Sequence, residues 1–312
     1  MIPQVIAVVG ATATGKSDLA LDLAESLGGE VVNADAMQLY RGMDIGTNKL
    51  PVDERRGIAH HVLDVLEVTD EATLADYQER AEAAIADVLA RGRVPVLAGG
   101  SGLYVRAALD HLQIPPTDPA VRARLEAESQ DEGGVAALRA RLRSVDPAAA
   151  EAIQANNIRR IIRALEVVEI TGRPFSATAP TKRYRRPSLV IGLRDDWDAL
   201  TARIERRAAR MWEDGLLEEV SALDAAGLRR GRTASRAIGY SQALAELDGR
   251  IAREEAIAQT AQATRRYARR QESWWRPDHR VEWLDAADPG LANAAIALAG
   301  RPTRHPPAEW TP

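Results

Sequence analysis

Residues 10–17 follow the spacing G-x-x-x-x-G-K-[ST] and stand between an apolar run, Gln4–Val9, and a helical pattern, Lys16–Leu27. A strand feeding a glycine-rich turn that opens a helix is the context in which this spacing forms a phosphate loop. The candidate phosphate-binding residues are therefore Gly10, Ala11, Thr12, Ala13, Thr14, Gly15, Lys16 and Ser17. The glycines let the backbone wrap an anion, several N–H groups converge on it, and the helix N-terminus adds partial positive charge. Lys16 brings a full charge, and the Ser17 hydroxyl can ligate Mg²⁺ held by the phosphates. The lysine is informative because only Lys16, Lys49 and Lys182 are lysine among 41 basic residues. The motif reports a di- or triphosphate, and not which one.

The pattern that follows is one of strands separated by helices. Glu30–Ala34 is predicted as a strand ending at Asp35, 72–91 as a helix, and Val94–Ala98 as a strand running into Gly99, Gly100, Ser101 and Gly102. Such alternation predicts an α/β fold with a parallel sheet, and ligands of such sheets bind at the carboxyl ends of the strands. Pro115, Pro116 and Pro119 mark a boundary. Helical periodicity then runs from Asp118–Pro119 to about Thr171, and Thr178–Pro187 reads as a Pro- and Arg-bearing loop. Ser188–Leu193 reads as a strand rejoining the sheet, followed by long helices at about 198–226 and 251–275 and a last strand at Val281–Leu284. The expected organisation is a phosphate-loop core at 1–114 and 188–300, an all-helical insertion at 115–187, and a flexible tail at 301–312.

Zero cysteine excludes disulfides, a thiol nucleophile, and Cys-ligated zinc or iron–sulfur clusters. There is no run of about 18 apolar residues and no basic-then-apolar leader, so no membrane partner and a cytoplasmic location are expected. The formal net charge of −4 hides a split. Residues 1–157 hold 14 basic and 24 acidic side chains, net −10, whereas 158–280 hold 25 and 17, net +8. The basic part makes a polyanionic substrate a reasonable expectation.

Asp35 should project toward the phosphate loop, where a carboxylate can hold Mg²⁺ through water, accept a proton, or cap a turn. Ser101 could donate to a developing anion or cap the following helix. The loop Asp44–Lys49 reads equally as solvated or functional. His60 and His61 point opposite ways on a strand, so a structural role is favoured over a metal site. Arg203, Arg206, Arg207 and Arg210 form a helical stripe, and Thr264–Arg276 interleaves basic and aromatic groups, offering phosphate contacts and base stacking. For an Arg-rich chain the bland reading of each cluster is a solvated, salt-bridged face.

Taken in order, 10–17 (GATATGKS), 33–40 (NADAMQLY), 44–49 (DIGTNK), 60–64 (HHVLD), 98–104 (AGGSGLY), 156–167 (NNIRRIIRALEV), 236–240 (RAIGY) and 264–276 (TRRYARRQESWWR) resemble the tRNA dimethylallyltransferase (tRNA isopentenyltransferase) family. The resemblance covers most of the chain. It implies transfer of a dimethylallyl group from dimethylallyl diphosphate to the exocyclic amine of the adenosine on the 3′ side of the tRNA anticodon. By family pattern Asp35 is the base, Ser101 stands near the leaving diphosphate where the family commonly has Thr, and Mg²⁺ is the cofactor. Arg203 and Arg207 are the candidates for clamping the diphosphate. The tRNA-contacting segments map to Asp35, Ala36, Met37 and Gln38, to Ser101, to Arg122, and to Asn157, Ile158, Arg159, Arg160 and Ile161. They also map to Arg236, Gly239, Tyr240 and Ser241, and to Arg269, Arg270, Gln271 and Trp274. Ala36 replaces the usual Ser, and Asn157-Ile158 replaces an Asp-Pro or similar pair. A monomer engaging the anticodon stem-loop is expected. The competing reading is an ATP-dependent small-molecule or nucleotide kinase using the same loop, which leaves the basic extension without a use. A guanine-reading module is disfavoured, because Asn48-Lys49 is followed by Leu50-Pro51.

Overall fold

The computed structural model describes residues 2–178 and 182–302. Val5–Gly10 (β1) is buried along its whole length, as a continuous Val/Ile run must be when both faces of a parallel sheet are covered. It lies in a six-stranded sheet with Glu30–Asn33 (β2), His60–His61 (β3), Pro95–Ala98 (β4), Ser188–Arg194 (β5) and Val281–Asp285 (β6), in the order β3-β2-β4-β1-β5-β6. Every pairing is parallel, with Val8 opposite Ala98, Asn33 opposite Ala98 and Gly10 opposite Leu193. That register brings the carboxyl ends of β2, β4 and β1 side by side, so the three loops singled out in the sequence emerge as neighbours.

Two compact units are present, Met1–Leu109 with Arg183–Pro312, and Asp110–Lys182. Their junctions fall five residues before each one expected from the sequence. In the first unit, Lys16–Leu27 (α1) buries Leu19, Ala20, Leu21, Leu23 and Ala24 against one face of the sheet. The unit also contains Leu74–Ala90 (α2) and Gly102–Leu109 (α3). α2 starts at Thr73, whose side chain accepts from the Asp76 amide at 3.1 Å.

The second unit holds Pro119–Glu128 (α4), Gly134–Val145 (α5), Pro147–Ala152 (α6) and Ile158–Thr171 (α7) around a core of Leu125, Leu138, Leu142, Ile153, Ile161, Ile162 and Leu165. The helical stretch expected to run on from Pro119 is thus four helices. Pro147 has no N–H to continue a helix, and Asp118, Asp146 and Asn157 cap new starts with their side chains.

Back in the first unit come Trp197–Glu213 (α8), Leu216–Ala225 (α9), Tyr240–Leu247 (α10), Arg253–Trp275 (α11) and Leu291–Ala299 (α12). The single helix expected at about 198–226 is two, because Gly215 takes a left-handed φ of 98° and ends the first. α8 starts on Asp196, whose carboxylate accepts from the Asp198 and Ala199 amides. Most of the tail expected at 301–312, and residues 179–181 of the Pro/Arg loop, lie outside the described residues. Among the described residues no helix is long and apolar enough to cross a membrane.

Candidate functional site

A cavity of about 690 Å³ opens at the carboxyl ends of the strands, within the first unit. The phosphate loop, Asp35, Gln38, Thr47, Asn48, Gly99, Gly100 and four arginines of α8 line it. Gly15 makes the turn into α1 with φ 80°, a conformation that strains a residue carrying Cβ. Inside the loop, Lys16 Nζ donates to the Ala11 carbonyl at 2.6 Å and the Thr14 hydroxyl to the same carbonyl at 2.8 Å. Burial draws the Lys16 ammonium down to about 8; Asp35 opposes that and the Arg207 charge adds to it. A bound anion would reverse the effect, since an opposite charge favours the protonated amine.

Arg203 and Arg207 of α8 reach the phosphate loop from outside the motif. Arg203 Nε donates to the Ala13 carbonyl at 3.0 Å, and its terminal nitrogen is ion-paired with Asp195. Arg207 donates to the Thr12 hydroxyl at 3.3 Å. Both guanidinium groups are therefore braced beside the anion site and not free on the surface. Arg206 and Arg210 line the same cavity on the exposed side of the helix.

Asp35 is held by its neighbour. Asn33, buried at the end of β2, accepts from the Asp35 amide at 2.9 Å and donates to the carbonyls of Asp35 and Val62, each at 3.0 Å. The Asp35 carboxylate accepts from the Met37 amide at 2.9 Å. Burial raises its pKa above the ordinary 3.8, while the Met37 amide, Lys16 and Arg207 pull the other way. A carboxylate with a raised pKa beside an anion cradle suits proton acceptance. Gln38 faces the cavity and donates to the carbonyls of Thr47 and Asn48 at 3.1 and 3.3 Å, drawing the 44–49 loop to the rim.

Ser101 lies beside Asp35. Its hydroxyl accepts from the Ala36 amide at 3.4 Å, so it faces the Asp35 loop. The glycines around it make room for α11. A Cβ on Gly100 would sit 1.8 Å from Gln271 Nε2, and one on Gly102 would sit 2.0 Å from the Trp274 ring. Gln271 is buried and accepts from the Thr12 amide at 2.8 Å. Trp274 is exposed, with the Arg106 guanidinium over its ring, whereas Trp275 is fully buried. Arg269 and Arg270 are exposed, stacked over the Trp197 and Tyr267 rings at 4.9 and 5.7 Å.

The other expected RNA-contacting residues have distinct settings. Arg236 is exposed, Gly239 begins α10, and Ser241 donates to Gln242 at 3.1 Å. Tyr240 is a core residue whose hydroxyl donates to Glu219 at 2.5 Å. Arg122, Asn157, Ile158, Arg159, Arg160 and Ile161 belong to the second unit. There Arg122 pairs with buried Glu166 at 2.7 Å, Asn157 caps α7, Ile161 is in the core, and Arg159 and Arg160 are exposed.

Sequence reasoning saw the 44–49 loop, the α8 arginine stripe and the segment of Tyr267, but assigned no site role to Thr47, Asn48, Asp195, Arg206, Arg210 or Tyr267. The i, i+3, i+4, i+7 spacing of the α8 arginines from Arg203 was a signal for two of these. Asp195 carried none, because an acid ahead of a helix reads as a cap.

Among the described residues no three His, Cys, Asp or Glu side chains are grouped as a metal site. Ser17 is exposed at the mouth of the cavity. A lone hydroxyl beside a phosphate cradle fits a hard cation carried mainly by phosphate oxygens.

Comparison with known proteins matches residues 38–278 to the family model described as IPP transferase. Among curated relatives, the tRNA dimethylallyltransferase of Thermobifida fusca (strain YX) is 59% identical over 299 residues, covering 94% of this chain and 93% of the relative. That of Nocardioides sp. (strain ATCC BAA-499 / JS614) is 57% identical over 295 residues, covering 94% and 95%. Among solved structures, the full-length tRNA isopentenylpyrophosphate transferase of Bacillus halodurans is 39% identical with a TM-score of 0.69, covering 95% of this chain and 94% of that one. A eukaryotic dimethylallyltransferase captured acting on tRNA is 29% identical with a TM-score of 0.83, covering 96% and 80%.

Proposed function

Because this chain belongs to the IPP transferase family of tRNA dimethylallyltransferases, we propose that it moves the dimethylallyl group of dimethylallyl diphosphate onto the exocyclic amine of the adenosine 3′ to the tRNA anticodon. The observation that carries the chemistry is the convergence of the phosphate loop, two braced arginines and Asp35 on one cavity. The kinase reading is not favoured, since the relatives that match along the chain are prenyl transferases.

In the reaction, the bond between the allyl carbon and the diphosphate oxygen breaks and its electron pair leaves with the diphosphate. The amides of 13–17, Lys16, Arg203 and Arg207 stabilise that charge, preorganised in a site from which water is partly excluded. The amine nitrogen forms the new carbon–nitrogen bond, and its proton passes to the Asp35 carboxylate. Ser17, with the phosphate oxygens, would hold Mg²⁺, which would supply further charge neutralisation. In this reading Ser101, whose hydroxyl accepts from the Ala36 amide, donates toward the departing diphosphate. The target adenine must leave its stack, at a cost of a few kcal/mol. Exposed Arg236, Arg269 and Arg270, with Arg159 and Arg160 of the helical unit, supply contacts to RNA phosphates. The enzyme acts as a cytoplasmic monomer.

The test is incubation of the purified protein with Mg²⁺, labelled dimethylallyl diphosphate and unmodified tRNA, followed by nuclease digestion. Label on adenosine is expected. ATP consumption without transfer would return the kinase reading.

A further inference from the structure

Two side chains on the inner face of α11 stand one helical turn apart, Tyr267 and Gln271. Gln271 is only 4% exposed. Its Oε1 accepts from the Thr12 amide at 2.8 Å, and its Nε2 fills the space that a Cβ on Gly100 would need. The Tyr267 hydroxyl has the polar side chains of Gln271 and Ser101 as its electrostatic neighbours. Ser101 in turn accepts from the Ala36 amide, next to Asp35. Polar side chains therefore follow one another from the phosphate loop through Gln271 and Tyr267 to Ser101 and the loop that carries Asp35, with hydrogen bonds at the two ends. The resemblance in sequence places Gln271 among RNA contacts, yet its acceptor is committed inside the protein. Arg266, Arg269, Arg270 and Trp274 of the same helix, by contrast, are exposed.

We propose that Gln271 and Tyr267 are positioning residues that fix the phosphate loop and the Asp35–Ser101 pair in one register, with Gln271 setting the diphosphate end and Tyr267 the acceptor end. This rests on the transfer reaction proposed above. Alkyl transfer requires the leaving oxygen, the carbon and the attacking amine to stay aligned, and a shift of about 1 Å can cost 10²-fold in rate. Without Gln271 the Thr12 amide has no acceptor and the loop loses its outer anchor. Without the Tyr267 hydroxyl the Ser101 side chain loses its polar neighbour on α11.

Gln271→Met keeps the volume and removes the acceptor, and Tyr267→Phe removes one hydroxyl. The expected result is a split. Gln271→Met raises KM for dimethylallyl diphosphate about tenfold, Tyr267→Phe lowers kcat about fivefold with KM near wild type, and both bind tRNA within twofold of wild type. Calorimetry with inorganic diphosphate and Mg²⁺ reads the brace without turnover, and Gln271→Met is expected to bind about tenfold more weakly. Loss of tRNA affinity with unchanged diphosphate binding would make Gln271 an RNA reader and overturn the proposal. Folded variants with wild-type kinetics and wild-type diphosphate binding would also overturn it. Absence of transfer by the wild-type protein would instead fall on the proposed reaction, leaving the calorimetric result to judge the brace.

Discussion

Lys49→Met is the perturbation that most directly separates a structural lysine from a phosphate-binding one. The ammonium donates to the Tyr40 carbonyl at 2.9 Å and to the carboxylates of Asp44 and Asp64 at 2.6 and 2.5 Å. It is nearly sealed, while the two carboxylates keep 55% and 38% of their side-chain exposure. Once the lysine is gone, both acids rehydrate and lose little beyond their charge-assisted bonds. The Tyr40 carbonyl keeps only a long bond from the Met43 amide at 3.4 Å. An under-satisfied buried acceptor costs about 1–3 kcal/mol, and methionine recovers most of the packing of the lysine stem, so a net loss of about 2 kcal/mol follows. That is about a 30-fold change in the folding equilibrium. Urea unfolding followed by circular dichroism should show a lower midpoint at unchanged slope. Activity should fall as well, by about tenfold in kcat/KM, because the loop that Lys49 anchors holds Thr47 and Asn48 against Gln38 at the cavity rim. An unchanged midpoint together with weakened diphosphate binding would refute this reasoning and make Lys49 a ligand group.

Arg91 holds the Glu30 carboxyl down to about 2, helped by His61, so the pair adds stability above the ordinary value of 4.5 and loses it as pH falls from there toward 2. Glu30→Gln should flatten that acid limb in a pH series of thermal melts, and an unchanged limb would discount the pair. Asn157→Ala removes the cap on α7, whose side chain accepts from the Arg160 amide at 3.2 Å. It should cost about 1 kcal/mol, read in urea unfolding. Arg270→Ala should weaken tRNA binding and reduce the slope of log K against log salt by about 1, and an unchanged slope would mean that the guanidinium does not meet a phosphate. The acid limb of kcat/KM should titrate above the ordinary 3.8 of an aspartate, since burial raises Asp35. A limb at or below that value would remove Asp35 as the titrating group.

The phosphate loop, Asp35 and the parallel core were readable because each is local. Periodicity marks the strands, and the loop spacing carries its own geometry. The helix break at Gly215 was harder to see, since apolar positions continue through it and only a backbone angle ends α8. Gln271 was legible as an RNA contact and Tyr267 only as a member of a basic, aromatic segment, neither as a neighbour of the phosphate loop and Ser101. Their partners Thr12 and Ser101 are far away in sequence, and only the folded sheet brings them together. The loop of Lys49 read equally as solvated or functional, because the acceptors of the ammonium include a backbone carbonyl that no pattern displays. The family resemblance supplied what spacing could not, namely the expectation of a prenyl diphosphate in the loop and of a base at Asp35.

The central claim is that alkyl transfer to tRNA takes place in this cavity with Asp35 accepting the proton. The most direct measurement is the single-turnover rate of labelled dimethylallyl transfer to saturating tRNA by wild-type protein and by Asp35→Asn, with tRNA affinity measured in parallel. A general base of this kind contributes about 10²–10⁴-fold, so the variant should transfer at least about a hundredfold more slowly while binding tRNA within a few-fold of wild type. Equal rates, or a rate loss matched by the loss of tRNA binding, would contradict it.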